Sequence, residues 1–168
     1  MTAQPTVAMI ERIPTGTAGL DHILRGGMPL GRTTLVSGTA GSGKTVFGLQ
    51  FLVQGLRQFD EPAVFVTFEE RPDAIRQNAA SLGFEIDSFE ADGRWAFVDA
   101  AYDPALEEEV IGPYDFVALL ARIEHAVRVT GAKRVVVDSI GAVFTRFAGS
   151  HGVRRELLRV ANGLRDLG

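Results

Sequence analysis

The segment of residues 38–45, Gly-Thr-Ala-Gly-Ser-Gly-Lys-Thr, constrains the fold more than any other part of the chain. It fits the pattern G-x-x-x-x-G-K-[ST] of a phosphate-binding loop. Glycines allow backbone conformations that are closed to other residues, so successive N–H groups can turn towards phosphate oxygens. In a loop of this kind Lys44 would lie near the β- and γ-phosphates, and the Thr45 hydroxyl would ligate Mg²⁺.

The segments on either side of the loop follow the order that a phosphate site needs. Residues 33–37 include Leu35 and Val36 and predict a buried strand that leads into the loop. Residues 44–58 are rich in apolar side chains and predict a largely buried helix, whose N-terminus would attract anions. A glycine-rich turn that contains a lysine by chance is the alternative, and the flanking strand and helix argue against it.

Composition narrows the class of protein further. A chain of 168 residues is long enough for one domain with a sizeable core. Its net charge of −4 and the lack of a basic run argue against non-specific nucleic-acid binding. The absence of cysteine excludes disulfide bonds and thiolate metal sites. The sequence has neither a signal peptide pattern nor a run of about 20 apolar residues, so we expect a cytoplasmic protein that does not enter the membrane.

Apolar periodicity predicts alternating strands and helices in the rest of the chain. The predicted strands cover residues 63–68, 95–99 and 134–138, and the predicted helices cover residues 15–24, 71–82, 115–130 and 153–167. We also expect a short extended piece at residues 10–14 and an acidic surface loop at residues 100–114. This alternation predicts an α/β fold with a mostly parallel central sheet and helices on both faces.

The predicted organisation is an N-terminal arm, residues 1–14, followed by one domain, residues 15–168. The chain ends in a predicted helix, at a point where an α/β pattern would normally deliver another strand. We therefore expect the domain to be incomplete on its C-terminal side, with a genuine C-terminus as the alternative.

Three acidic residues follow predicted strands and are the candidate partners of the loop. Asp138 ends one apolar strand, and Glu69 and Glu70 follow another. Ligands bind at the carboxyl ends of the strands in open parallel sheets, so we expect all three residues at one edge. Asp138 is predicted to hold Mg²⁺ through a bound water, since Mg²⁺ retains several waters. Glu69 and Glu70 are predicted to polarise the attacking water as a general base.

Each of these acidic residues also has a purely structural interpretation. Asp138 can cap a helix that follows its strand. Glu69 and Glu70 can simply stand at the start of the next helix, where negative charge is favoured by the helix dipole. The sequence does not separate the role of Glu69 from that of Glu70.

The combination of these motifs resembles the KaiC group of RecA-like ATPases, which includes the ATPase and autokinase of the cyanobacterial circadian clock. The resemblance covers almost the whole chain and is greatest for the first, N-terminal ATPase domain of that family. It rests on the segments 15–16, 19–21 and 26–32, the loop 38–45, and the segments 59–62, 65–70, 137–139 and 153–157.

The resemblance implies a RecA-like fold that binds ATP and Mg²⁺. It implies that Glu69, Glu70 and Lys44 are the catalytic residues and that Thr45 and Asp138 serve the metal ion, Asp138 through a water. The loop motif and the resemblance together give the following ATP-binding residues: Gly38, Thr39, Ala40, Gly41, Ser42, Gly43, Lys44, Thr45, Val46, Ser81 and Asp138.

The implied function is slow, Mg²⁺-dependent ATP hydrolysis in a homohexamer, with ATP or ADP between the subunits and a KaiB-like regulatory protein as a partner. A longer, tandem-domain protein of this kind would also be a serine/threonine autokinase. Two alternatives stay open: a DNA-dependent recombination ATPase of the RecA or RadA type, and an ATP-dependent ring scaffold without significant turnover. The acidic balance and the lack of a basic stripe argue against the first.

Overall fold

The structure is a computed structural model that describes residues 10–100, 116–139, 141 and 150–166. Most of the predicted N-terminal arm and nearly all of the predicted acidic loop lie outside the described residues.

Strands and helices alternate along most of the described chain. The strands are β1 (Arg12–Ile13), β2 (Met28–Pro29), β3 (Ala63–Thr67), β4 (Trp95–Asp99) and β5 (Arg134–Asp138), and the helices are α1 (Ala18–Ile23), α2 (Lys44–Phe59), α3 (Pro72–Ser81), α4 (Ile86–Ala91), α5 (Phe116–Thr130) and α6 (Ser150–Asp166). The bounds of β3, β4, β5, α2, α3 and α5 agree with the predictions to within one residue, and α4 was not predicted. Within the described ranges, none of the helices combines the length and the apolar character needed to cross a bilayer.

In the described residues, β3 is the centre of a parallel sheet with the order β4–β3–β5. All five residues of β3 are buried, as expected for a central strand with β-branched and aromatic side chains. In the two ladders, Thr67 at the end of β3 stands opposite Asp99 of β4 and Asp138 of β5. The three strands therefore end level, at one edge of the sheet.

Successive side chains of β3 point to opposite faces of the sheet, and helices cover both faces. On one face, Val64 and Val66 pack with residues of α5 and α6, among them Ile123 and Val160. On the other face, Phe65 packs with residues of α2, α3 and α4. The predicted α/β fold, with a parallel sheet between two layers of helices, is therefore confirmed.

The predicted strand at residues 33–37 is wrong, because this segment forms no strand in the structure. Leu35 is 78% exposed and Val36 is 44% exposed, whereas a core strand would bury both. The preference of β-branched residues for strands reflects packing in a half-buried sheet more than the backbone itself. In the described part of the chain β5 pairs only with β3. Residues 33–37 therefore have no paired strand there, and all five of these residues are exposed.

Arg134, at the start of β5, is fully buried and joins several elements. Its Nε donates to Glu61 Oε2 at 2.6 Å, and its Nη1 donates to the carbonyl oxygens of Pro14 at 2.8 Å and Phe51 at 3.0 Å. Gly55 of α2 makes room for this side chain, because a Cβ there would lie 2.5 Å from both Cδ and Nε of Arg134. The close packing of α2 against β5 therefore depends on the small size of Gly55.

We predict that Gly55→Ala destabilises the protein, although alanine normally improves a helix interior. The added methyl group would displace a buried guanidinium with three hydrogen bonds, at a cost of about 1–3 kcal/mol, the usual range for overpacking. Urea unfolding measures the change. Gly19→Ala in α1 is the matched control, since a Cβ at Gly19 meets nothing within 4 Å. The control should be neutral or up to about 1 kcal/mol more stable. A Gly55→Ala variant as stable as the unsubstituted protein would contradict this packing.

One carboxylate, that of Asp21, orders the segment before α1. It accepts hydrogen bonds from the Thr15 N–H at 2.7 Å, the Thr15 hydroxyl at 2.7 Å and the Gly16 N–H at 3.1 Å. Burial by itself raises the pKa of Asp21, but these hydrogen bonds and the charge of Arg134 outweigh it. The pKa of Asp21 therefore lies below its ordinary value of 3.8.

Because the pKa of Asp21 is lower in the folded than in the unfolded chain, its stabilising effect is complete above pH 3.8 and is lost as the pH falls through the folded value. We predict that Asp21→Asn lowers the free energy of unfolding by about 1.5–3 kcal/mol at neutral pH, the usual contribution of hydrogen bonds to a charged group. The difference should shrink at acid pH. Thermal unfolding over a pH series measures it, with the exposed Asp92→Asn as the control. An equal difference at every pH would argue against a charged Asp21.

Candidate active site

The loop of residues 38–43 leads directly into α2. Gly43, the residue before the helix, has a left-handed conformation with φ of 83°, which a side chain with a Cβ adopts only at a cost. At Gly38 a Cβ would meet the Ser42 hydroxyl, which would have to rotate to make room. No side chain caps the N-terminus of α2, so its first N–H groups remain to bind an anion.

Lys44 is held against this loop by the loop's own carbonyl groups. Its Nζ donates to the carbonyl oxygens of Gly38 at 3.1 Å and Thr39 at 3.0 Å. An ammonium group has three N–H donors, so one remains to reach a phosphate oxygen. Residues 38–43 are all exposed, and Val46 in the first turn of α2 is 41% exposed. A phosphate group therefore has open access to the loop and the helix N-terminus.

The first turn of α2 is joined to the end of β5 by a short hydrogen bond. Thr45 Oγ1 donates to Asp138 Oδ2 at 2.6 Å, a distance typical of a hydroxyl bonded to a carboxylate. Because the Thr45 hydroxyl donates its hydrogen bond to Asp138, the lone pairs of its oxygen remain for another partner.

The donor atoms at this point suit a magnesium ion. Mg²⁺ prefers hard oxygen ligands and is usually bound by one or two protein groups while it keeps several waters. A hydroxyl and a neighbouring carboxylate supply such oxygens, here from Thr45 and Asp138. The described residues contain no cluster of three or more His, Cys, Asp and Glu side chains that would form a fuller metal cage.

Glu69 and Glu70 follow β3 at the same edge of the sheet, and both are exposed. Glu69 Oε1 accepts a hydrogen bond from Ser139 Oγ at 2.7 Å. Glu70 Oε2 accepts one from Asn78 Nδ2 at 3.3 Å, while the Glu70 carbonyl accepts one from Thr67 Oγ1 at 2.6 Å. The two carboxylates are therefore oriented by different neighbours.

Ser81 is at the C-terminal end of α3. Its hydroxyl donates to the Asn78 carbonyl oxygen at 2.6 Å, so this hydrogen bond stays within the helix. The hydrogen bonds of the described residues do not connect Ser81 to the loop. Hydrogen bonds thus join Thr45 to Asp138, and Glu69 to Ser139, the residue after Asp138. Ser81 lies on α3, whose residue Asn78 contacts Glu70.

Ser139 and Asn78 were not predicted from the sequence as neighbours of the two glutamates. Ser139 directly follows Asp138. Its position near the residues that follow β3 can therefore be inferred once the register of β3 and β5 is known. The sequence pattern does not indicate Asn78. It lies inside α3, and its side chain donates to Glu70, which precedes this helix.

The parallel sheet between two helix layers, with a phosphate-binding loop at the start of α2, defines a RecA-like nucleotide-binding domain of the P-loop class. A model of the KaiC family of ATPases matches residues 13–168. The chain belongs to the KaiC family.

The curated relatives of the chain include circadian clock proteins. It is 50% identical over 159 residues to the circadian clock protein KaiC3 of Synechocystis sp. (strain ATCC 27184 / PCC 6803 / Kazusa), covering 95% of this chain and 31% of that protein. It is 47% identical over 161 residues to the circadian clock oscillator protein KaiC of Thermosynechococcus vestitus, covering 96% of this chain and 31% of that protein. The chain therefore spans about a third of the length of these relatives, and it matches the N-terminal half of KaiC.

Proposed function

We propose that this chain is the ATP-binding and ATP-hydrolysing domain of a KaiC-like clock protein. The observation that supports this most is the hydrogen bond between Thr45 and Asp138, which joins a phosphate loop to a strand-end carboxylate in a chain of the KaiC family. Its relatives are circadian clock proteins, and we propose a timing role for the protein that carries this domain.

ATP would bind with its phosphates on the loop and the N-terminus of α2. The backbone N–H groups of the loop and of the first helical turn point at the phosphate oxygens in sites of this class. Lys44 would exchange its bonds to the loop carbonyls for bonds to the β- and γ-phosphates. Val46, exposed in the first turn, would lie beside the bound phosphates.

Thr45 and Asp138 would hold Mg²⁺, with Asp138 acting through a bound water. Bound Mg²⁺ would supply positive charge that offsets the negative charge of the phosphates during transfer. The protein's own contribution is to fix the Thr45 hydroxyl by its bond to Asp138, so that the oxygen is already oriented when the nucleotide arrives.

Hydrolysis would proceed by in-line attack of water on the γ-phosphorus. A bond forms between the water oxygen and the γ-phosphorus while the bond to the β,γ-bridging oxygen breaks, which releases ADP and phosphate. A proton of the water passes to Glu69 or Glu70, the strand-end carboxylates at the same edge as Asp138. The ends of β3 and β5 are level, which supports the delivery of both groups to one place.

The exposure of residues 38–43 supports an assembly in which a neighbouring subunit covers the nucleotide. We therefore propose a homohexamer with ATP between the subunits and a KaiB-like regulatory protein as a partner. For a longer, tandem-domain protein we also propose a serine/threonine autokinase activity.

We predict that Lys44→Ala abolishes ATP binding, and that turnover and ATP-dependent assembly are lost with it. Lys44 supplies the positive charge of the loop, so its loss removes the main electrostatic attraction for the β- and γ-phosphates. Binding of a fluorescent ATP analogue, ATP turnover, and mass in solution with and without Mg-ATP measure the three effects. Lys133→Ala, which removes an exposed lysine after α5, is the matched control.

The outcomes separate the proposals about binding, turnover and assembly. ATP-dependent hexamers with slow turnover, both lost in Lys44→Ala and kept in Lys133→Ala, would support the whole proposal. A monomer that binds ATP without hydrolysing it would contradict the proposed turnover for these residues. If Lys44→Ala bound ATP as tightly as the unsubstituted protein, the proposed nucleotide site would be wrong.

We predict that the double variant Glu69→Gln/Glu70→Gln lowers ATP turnover by about 10²–10⁴-fold, the range expected when a general base is lost. Glutamine keeps the size and polarity of glutamate, so ATP binding should change little. Turnover and binding are measured side by side. Unchanged turnover with intact rings would favour the ring scaffold over the ATPase, and salt-sensitive DNA binding would favour the RecA or RadA alternative.

A further inference from the structure

The segment of residues 68–70, which carries both candidate general bases, begins at a strand end that is fixed on both sides. The Thr67 carbonyl oxygen accepts a hydrogen bond from the Ala100 N–H at 2.7 Å, and the Phe68 N–H donates to the Asp138 carbonyl oxygen at 2.8 Å. Phe68 is also buried in the core that α5 and α6 cover. The backbone is therefore held as far as Phe68, directly before the two glutamates.

One side-chain hydrogen bond fixes the other end of this segment. Thr67 Oγ1 donates to the Glu70 carbonyl oxygen at 2.6 Å. Thr67 is only 2% exposed, so bulk water does not compete for its hydroxyl. Glu70 is exposed, and so is Glu69 between the two fixed ends. The buried hydroxyl is therefore the anchor, and the exposed segment is the part that it positions.

The same strand end lies beside the pair of residues proposed to hold Mg²⁺. Thr67 stands opposite Asp138 in the ladder of β3 and β5, and Asp138 accepts from the Thr45 hydroxyl at 2.6 Å. Residues paired in a ladder point to the same face of the sheet. The hydroxyl of Thr67 nevertheless donates to Glu70, so its hydrogen bond acts on the segment that carries the glutamates.

We propose that Thr67 is a positioning residue for ATP hydrolysis. Its hydroxyl holds the Glu70 carbonyl group and thereby sets the path of the chain through residues 68–70. The carboxylate that takes the proton of the attacking water then projects towards the phosphates bound on the loop. This inference rests on the proposed ATPase function and deepens it, because it assigns a role to a buried residue outside the loop and outside the strand-end carboxylates.

The physical reason is that a general base must be correctly placed as well as basic. A displacement of about 1 Å in such a group can cost about 100-fold in rate. The 2.6 Å hydrogen bond brings Thr67 Oγ1 closer to the Glu70 carbonyl oxygen than a methyl group can approach. Thr67→Val would therefore displace the segment, whereas Thr67→Ser would keep the bond.

The first test compares Thr67→Val with Thr67→Ser in the natural polypeptide that carries these 168 residues. Thr67→Val keeps the buried volume but removes the hydroxyl, so we expect kcat to fall by about tenfold or more. Its melting temperature should change by less than about 5 °C, because the exposed Glu70 carbonyl group can bond to water instead.

Thr67→Ser has the opposite profile. It keeps the hydroxyl and should keep most of kcat, but it removes a buried methyl group and should lower the melting temperature more than Thr67→Val does. The two variants therefore rank in reverse order for kcat and for stability, which a merely structural residue would not give. If Thr67→Val does not fold, Thr67→Ala replaces it, because this variant also removes the hydroxyl and adds no methyl group beside the Glu70 carbonyl.

Nucleotide binding separates positioning from direct contact. KM for ATP and the affinity for a fluorescent ATP analogue should stay within about twofold in Thr67→Val, since the hydroxyl acts on the segment and not on the nucleotide. Thr130→Val is the matched control, because it removes a threonine hydroxyl that donates to the Ala126 carbonyl oxygen at 2.8 Å within α5. This control should leave kcat unchanged.

The second test is a double-mutant cycle. If Thr67 acts through the glutamates, then Thr67→Val should have no further effect on kcat in the Glu69→Gln/Glu70→Gln background. In the Thr130→Val background it should keep its full effect of about tenfold.

Each remaining outcome overturns a stated part. An unchanged kcat in Thr67→Val, or a full effect that persists in the Glu69→Gln/Glu70→Gln background, would overturn the positioning role while the ATPase proposal stands. A loss of kcat in Thr67→Ser as large as in Thr67→Val, or a joint loss of nucleotide affinity and thermal stability in Thr67→Val, would overturn the role as well. If the protein carrying this chain does not hydrolyse ATP, or if Lys44→Ala does not lower its turnover, the proposed function itself fails and this inference fails with it.

Discussion

In the parallel ladder between β3 and β5, Thr67 stands opposite Asp138, so the two strands end level. Glu69 follows β3 and Ser139 follows β5, and this register is what brings their side chains within 2.7 Å of each other. A slip of one residue would turn every side chain of β5 to the opposite face. Asp138 would then leave the position from which it accepts the Thr45 hydrogen bond. The register of β3 and β5 therefore determines both hydrogen bonds of the candidate site, the one from Thr45 to Asp138 and the one from Ser139 to Glu69.

The distance between α2 and the sheet is the second condition on the site. A Cβ at Gly48 would lie 2.9 Å from Cγ1 of Val136, and a Cβ at Gly55 would meet Arg134. Both glycines of α2 thus face β5, and their small size lets the helix pack closely against it. Because Thr45 lies one turn before Gly48, this close packing brings its hydroxyl to Asp138. The glycines inside the helix serve the site as much as the glycines of the loop do.

Much of the fold and part of the site could be predicted from sequence. The long apolar segments gave β3, β4, β5 and α2 nearly at their observed bounds, and the loop motif located Lys44 and Thr45. The strand predicted at residues 33–37 failed because a strand needs a partner for its backbone and a cover for its side chains, which a local pattern does not contain. Ser139 and Asn78 were missed for a related reason, since each contacts a glutamate through a tertiary arrangement.

The sequence by itself determined the features that depend on neighbours along the chain. The loop glycines, the helix that follows them and the strand-end carboxylates are local, because backbone conformation and apolar periodicity act over a few residues. Only the tertiary structure decided which donor orients which carboxylate, since Ser139 and Glu69 are 70 residues apart and Thr45 and Asp138 are 93 apart. The reason is physical: a hydrogen bond of about 2.7 Å depends on strand register and helix packing, and both are set by the core as a whole.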